Sequence, residues 1–323
     1  MPKPIVLAYR AVWNPTELPP AKIDYAPLTH IAHAFVTVER GAIRFPDETA
    51  SRALIHTAHK HGVKVTLAIG GAASNRELSA LCASEAATKT LAARIASHVT
   101  TLGYDGADID WEHPETVADT ARLSRFTRLL RQALPRPRLV TMATPSTDWN
   151  ARWYDAPAIL SHLDFAAVMT YDFFGSWSAS AGQHSALFAG ATGDPALCAS
   201  AAIRYWQSVK RFPASKLLLG IPLYARGFRT KAWGDPVQAV ADKTIEAAYR
   251  TLGVGATDAA AGCATWKTER GAVLMSGDNP ETARQKGAWA RAHQLAGVFF
   301  WELSGDAPGE LSVVRAARAG LAT

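Results

Sequence analysis

The chain has 323 residues, 48% hydrophobic and 19% charged, an ordinary balance for a globular protein with one large core. Its net charge of +6 is scattered through helix-like segments, which argues against a nucleic-acid partner. No run approaches the ~20 apolar residues needed to span a bilayer, so no membrane partner is expected.

The N-terminus leads directly into a strand-like segment at 5–9, with no basic region, apolar stretch and cleavage site before it. A soluble chain without export information is expected, either cytoplasmic or an extracellular protein whose leader has been removed. Further strands are predicted at 30–35 and 63–69, and Pro19-Pro20 makes the first crossover the least helical. Ser84 then caps a helix with Leu91, Ile95, Val99 and Leu102 on one face, and Gly103 stops it. After a strand at 106–112, Leu123, Phe126, Leu129, Leu130 and Leu134 form a second stripe, ended by Pro135. Strands follow at 138–144, 165–171, 217–224 and 297–301, and Asn279-Pro280-Glu281 is a good helix start.

Most of these strands are near-continuous apolar runs, as parallel strands buried on both faces require. Eight of them alternating with helices predict an α/β protein, a (β/α)8 TIM barrel filling 1–323. A bare barrel needs about 250 residues. Most of the surplus falls in the seventh crossover, so 227–278 is read as a small inserted subdomain. Within it 263–267 and 272–275 can pair as a hairpin across 268–271. Cys82, Cys198 and Cys263 are far apart and odd in number, and are read as small buried hydrophobes.

The most informative segment is Asp105-Gly106-Ala107-Asp108-Ile109-Asp110-Trp111-Glu112. Alternation places Asp108, Asp110 and Glu112 on one face of a strand and Ala107, Ile109 and Trp111 on the other. The apolar face needs helices to cover it, so the carboxylates point into the barrel. Burying three acids costs several kcal/mol unless they share protons and hydrogen bonds. Glu112 comes last, at the carboxyl end, where barrel active sites lie. A calcium loop would need a glycine at its sixth position and a glutamate at its twelfth, and neither fits.

This segment resembles the D-G-x-D-x-D-x-E signature of family 18 glycoside hydrolases, the chitinases and their relatives. Other segments resemble the family in the same order. Leu67-Ala68-Ile69-Gly70-Gly71 is similar to S-x-G-G with Ala68 in place of Ser, and Met169-Thr170-Tyr171-Asp172 to M-x-Y-D. Gly220-Ile221-Pro222-Leu223-Tyr224-Ala225-Arg226 is similar to G-x-P-x-Y-G-R, with Ala225 for Gly, and Trp301 matches the eighth-strand tryptophan. Tyr9 and Phe35 fit the first two strands.

The resemblance implies retaining hydrolysis of β-1,4 bonds between N-acetylglucosamine units, in chitin or chitooligosaccharides. Glu112 is then the general acid and base, and the substrate's own acetamide the nucleophile. Asp110 holds the acetamide N–H, Asp108 shares a proton with Asp110, and Tyr171 orients the acetamide carbonyl. Tyr9, Phe35, Trp111, Met169, Asp172, Tyr224, Arg226 and Trp301 are the expected substrate-binding residues. Trp13 and Trp177, on active-face loops, are candidates for outer subsites, whereas Trp206 and Trp289 read as core. Asp105 reads as structural. No cofactor or metal is expected, and the chain is expected to act as a monomer. Two other readings stand beside this one: an endo-β-N-acetylglucosaminidase acting on N-glycans, and a chitinase-like lectin. The lectin typically lacks the acid that Glu112 supplies.

Overall fold

Strands of this hydrophobicity, buried along nearly their whole length, can satisfy their edges only by pairing on both sides. In the computed structural model, which describes residues 3–13, 18–39, 41–72, 75–190, 194–237, 245–267 and 273–323, they do so by closing on themselves. The barrel strands are Ile5–Ala11, His30–Glu39, Lys64–Gly71, Gly106–Trp111, Leu139–Thr144, Ala166–Val168, Leu217–Pro222 and Gly297–Trp301. Each lies parallel to its neighbours, and the first pairs with both the second (Leu7 opposite His30) and the eighth (Ile5 opposite Gly297). The eight strands and their helices form a (β/α)8 barrel.

The helices form where their caps predict. Glu85–Leu102 starts with the Ser84 hydroxyl accepting from the Ala87 amide, and stops at Gly103 with φ +86°. Val117–Ala133 buries Leu123, Phe126, Leu129 and Leu130 and ends at Leu134. Pro280–Ala292 carries a reciprocal capping box between Asn279 and Thr282. The first crossover has only a short 3-10 turn, Pro20–Lys22. The two largest apolar clusters among the described residues divide between the lumen, filled by Leu7, Tyr9, Ala68, Phe165, Leu218 and Phe299, and the space between barrel and helices. Trp206 is buried in the larger cluster, while Trp289 is only half-buried and packs against it. All three cysteines are free and buried. No helix among the described residues is long and apolar enough to cross a membrane.

Two strands differ from expectation. The sixth is paired only over Ala166–Val168, so Met169, Tyr171 and Asp172 stand beyond its end rather than within it. The predicted 217–224 strand divides in two. Leu217–Pro222 stays in the barrel, the Leu223 amide bonds the Trp301 carbonyl, and Tyr224–Phe228 leaves to join a second sheet. That sheet is antiparallel, in the order Ile245–Ala248, Tyr224–Phe228, Leu274–Gly277, Cys263–Lys267, Ala256–Asp258. Cys263–Lys267 pairs with Leu274–Gly277, with Lys267 opposite Leu274; the predicted turn at 268–271 lies outside the described residues.

Gly70 shows how tightly the third and fourth strands approach. It has φ +119°, and a Cβ there would sit 2.0 Å from the Asp110 carbonyl oxygen. At Gly103, φ is +86° but nothing lies within 4 Å. Gly103→Ala should therefore cost about 1 kcal/mol, the backbone term alone, whereas Gly70→Ala should cost at least about 2–3 kcal/mol because the strands must separate. Urea denaturation of the two variants measures the difference; equal costs would rule out the close approach as the constraint.

Candidate active site

Strand alternation places the acidic residues as their spacing predicts. Asp108 and Asp110 are buried on the lumen side, while Ala107, Ile109 and Trp111 pack among the helices. Asp108 accepts from the Tyr9 hydroxyl at 2.7 Å and from the Thr141 hydroxyl at 2.5 Å. Ala68 lies opposite Asp108 on one side and Thr141 on the other. Asp108 therefore takes hydroxyls from Thr141 and Tyr9, and the alanine at 68 leaves neither of its oxygens without a donor.

Asp110 stands between Asp108 and Glu112, and the charges of both act on it. Each Asp108 oxygen accepts from one hydroxyl, and the Asp110 carboxyl is hydrogen-bonded to Glu112. One Asp110 oxygen, Oδ1, is buried without a hydrogen-bond partner among the described residues. Burial, then the charges of Glu112 and Asp108, hold the Asp110 carboxyl well above the usual carboxylate range. Burial raises Glu112 to about 7, with the Asp110 hydrogen bond opposing and the Asp172 charge adding to the rise. Beside Glu112, His113 Nε2 lies 3.8 Å from the carboxylate, and burial lowers that imidazole to about 4, so it is neutral.

Above the acidic strand lies a cleft of about 1190 Å3, lined by Glu112, Met169, Tyr171, Asp172, Trp149 and Trp177 among others. A smaller hollow of about 290 Å3 adjoins it across Asp172 and is lined by Tyr224, Arg226, Glu246 and Trp301. Asp172 joins the two. It accepts from the Tyr224 hydroxyl at 2.7 Å and lies 3.2 Å from Arg226, which also pairs with Glu246. Burial would raise Asp172, but the hydrogen bond and charge of His184, with Arg226 and Tyr224, outweigh it and hold the carboxyl below its ordinary value.

Trp301 stacks on Phe35 at 5.7 Å, and Trp13 lies 6.2 Å from Trp301 and 6.1 Å from Phe35. These rings form an aromatic floor running out from the barrel mouth. In the larger cleft Trp149 is 74% exposed and Trp177 62%, and the Arg226 guanidinium sits 5.1 Å from the Trp177 ring centroid.

Met169, Asp172, Tyr224, Arg226 and Trp301 line the two hollows, whereas Phe35, 7% exposed, backs Trp301, and Trp111 and Tyr9 face elsewhere. Trp111 is 1% exposed on the helix side, where its indole N–H donates to Asn75. The same alternation that sends Glu112 inward sends Trp111 outward. Tyr9 lies beneath the cleft, with its hydroxyl given to Asp108. Asp105 is structural, accepting from the Val65 amide and pairing with His59. Among the described residues, no group of three His, Cys, Asp or Glu is arranged to hold a metal ion.

The profile of glycosyl hydrolases family 18 matches residues 5–306. The chain belongs to that family.

Its relatives include Chitinase 1 of Aphanocladium album, 26% identical over 94% of this chain and 81% of that protein. Endochitinase 1 of Metarhizium robertsii is 28% identical over 78% of this chain and 64% of its own length. The structure of a class V chitinase variant from Nicotiana tobaccum in complex with NAG4 superposes with a TM-score of 0.85 over 99% of both chains, at 22% identity. That likeness shows a shared barrel. Sequence reasoning passed over Thr141, Trp149, His184 and Glu246 in this family 18 site. Thr141 alone left a signal, as a hydroxyl one strand over from Asp108.

The raised Glu112 carboxyl has a consequence for stability. The folded state holds this proton to about 7, while an unfolded glutamate releases it near 4.3. Between those values the folded state binds more protons, so this group weakens the fold as pH rises and does so fully above 7. Glu112→Gln removes the penalty. Its melting temperature relative to wild type should therefore rise between pH 4.5 and pH 8, and thermal melts showing a constant difference would contradict the raised carboxyl.

Proposed function

We propose that this chain is a chitinase, cutting β-1,4 bonds between N-acetylglucosamine units with retention through an oxazolinium ion. The observation that carries the reading is the pairing of Glu112, raised to about 7 at the cleft wall, with a buried Asp110 beneath it. A carboxyl that still holds its proton near neutrality is suited to protonate a leaving sugar oxygen. The unpartnered Asp110 Oδ1 is an acceptor available to an acetamide N–H. Family membership and relatives named as chitinases support the same substrate.

In this mechanism Glu112 donates its proton to the glycosidic oxygen while the acetamide carbonyl of the sugar on the non-reducing side attacks C1. Asp110 passes from sharing a proton with Glu112 to supporting the positive charge on the acetamide. The Tyr171 hydroxyl donates to the carbonyl oxygen and aims it. Water, deprotonated by the now ionised Glu112, opens the oxazolinium ion. The Trp301–Phe35 floor offers a ring face to the sugar, and Met169, Asp172, Tyr224 and Arg226 contact its substituents. Because the substrate supplies the nucleophile, the scheme calls for no cofactor or metal. We assign the chain 1–323 to one catalytic barrel, with 227–278 as an inserted subdomain beside the cleft, working as a monomer.

Glu112→Gln should fold, bind (GlcNAc)4 and lose at least about two orders of magnitude in kcat. In wild type, kcat should fall as pH rises through about 7, where Glu112 loses the proton it must give. Partly deacetylated chitosan should be cut only after acetylated units, and the first product anomer should be β, because two inversions amount to retention. Early-time NMR of the digest reads both. Glucosamine at the new reducing ends, or an initial α-anomer, would exclude the acetamide as nucleophile. Release of glycan from a high-mannose glycopeptide with chitin oligomers left intact would favour the endo-β-N-acetylglucosaminidase reading.

A further inference from the structure

Asp172 is held from behind by a residue that the catalytic scheme does not use. His184 is fully buried, with Nδ1 3.3 Å from Asp172 Oδ1 and 3.4 Å from the Asp172 amide nitrogen. Its carbonyl accepts from the Phe173 amide at 3.1 Å. A single ring nitrogen cannot serve both Asp172 groups, and with the proton on Nδ1 the imidazole donates to the Asp172 carboxylate, so one residue grips the side chain and, through its carbonyl, the following peptide. The grip matters because Asp172 adopts φ +58°, an unusual conformation for a residue other than glycine.

The segment that carries His184 is itself fastened to the inserted sheet and the helix after it. Gln183 donates to Asp258 at 2.9 Å, and the His184 amide donates to the Ser276 hydroxyl at 2.9 Å. The Ser185 hydroxyl donates to Asp278 at 3.1 Å. Lys286, fully buried, donates to the Ser185 carbonyl at 2.5 Å and pairs with Asp278 at 2.6 Å. A buried ion pair is costly to strand, so this anchorage resists movement. Three consecutive residues, 183–185, are pinned in this way by 258, 276, 278 and 286.

We propose that the inserted sheet, acting through this buried segment, fixes Asp172 at the reacting end of the cleft, with His184 as the positioning residue. The proposal rests on the chitinase reading for its kinetic consequences only. Around Asp172 the titratable and charged neighbours are Glu112 on the acidic strand, Tyr171 beside it, and Tyr224 and Arg226 on the inserted sheet, with Glu246 behind Arg226. Behind His184 stand Ser276 and the Asp278–Lys286 pair. Loss of the imidazole leaves burial free to push the Asp172 carboxyl upward. The ionised form, which Tyr224 and Arg226 hold in place, is then lost at a less acidic pH.

The test compares His184→Leu, which keeps bulk without hydrogen bonds, with His184→Asn, whose side-chain amide can still reach Asp172. On (GlcNAc)4, His184→Leu should lose roughly ten- to a hundredfold in kcat through misplacement of Asp172, with the acid limb of the kcat profile moved to higher pH. His184→Asn should recover most of the rate. Ser276→Ala keeps the imidazole but frees its backbone, and should move both readouts the same way by less; it serves if the leucine variant folds poorly. Carboxyl 13C titration of Asp172 needs no substrate. It should show the group rising in His184→Leu towards or above the ordinary aspartate range. A leucine variant with a lower melting temperature but wild-type kcat, pH profile and Asp172 titration would make His184 a core residue and overturn the proposal. An inactive wild-type chain would count against the chitinase reading alone, because the titration still decides the role of His184.

Discussion

Three carboxyls in a row inside a barrel lumen are the constraint from which the rest of this site follows. Left unpaired in a low-dielectric interior, each would be unaffordable, and each is relieved differently. Asp108 takes two hydroxyls, from Tyr9 and Thr141. Asp110 keeps its proton and faces Glu112, which opens onto the cleft. The gradient from buried and satisfied to half-buried and proton-bearing runs along one strand of six residues, Gly106–Trp111, and one step beyond. Gly70 and Gly71 belong to the same solution. Without side chains they let the third strand lie against the Asp110 carbonyl and the Phe35 ring.

The mouth of the barrel divides its work between two kinds of contact. The Trp13, Phe35 and Trp301 rings offer apolar faces, which hold a sugar without fixing its rotation. The Asp172, Tyr224, Arg226 and Glu246 cluster is directional, with each group held by at least one other. Asp172 lies on both hollows and also raises Glu112 by its charge, so the polar recognition cluster and the proton donor are electrostatically linked.

Much of this was legible in the sequence, because period-2 alternation is a strict rule. Once Ile109 and Trp111 were assigned to the helix side, the three acids had to face the lumen. By the same rule Trp111 could not line the cleft, and its place among substrate contacts came from the family motif rather than from the strand. Partner choice was less legible. That Thr141 stands opposite Asp108 and donates to it depends on inter-strand register, and no local pattern encodes register between strands more than thirty residues apart. The early end of the sixth strand at Val168 and the departure of Tyr224 into a second sheet are likewise decided by neighbours. His184 lies in a stretch without periodicity, and only the folded chain brings it beside Asp172 and Ser276.

The three buried thiols have a different kind of consequence. Cys82 follows a helix on the barrel's outer layer, Cys198 caps the helix Ala199–Ser208, and Cys263 begins a strand of the inserted sheet. Burial raises the Cys82 thiol to about 12, so the native state has no appreciable thiolate there to react. A thiol-modifying reagent can reach these atoms only when the layer above each one opens. The chain therefore carries three built-in timers of local opening, one on the outer layer, one at a helix start and one in the insertion, and their labelling rates would rank how firmly each sector is closed.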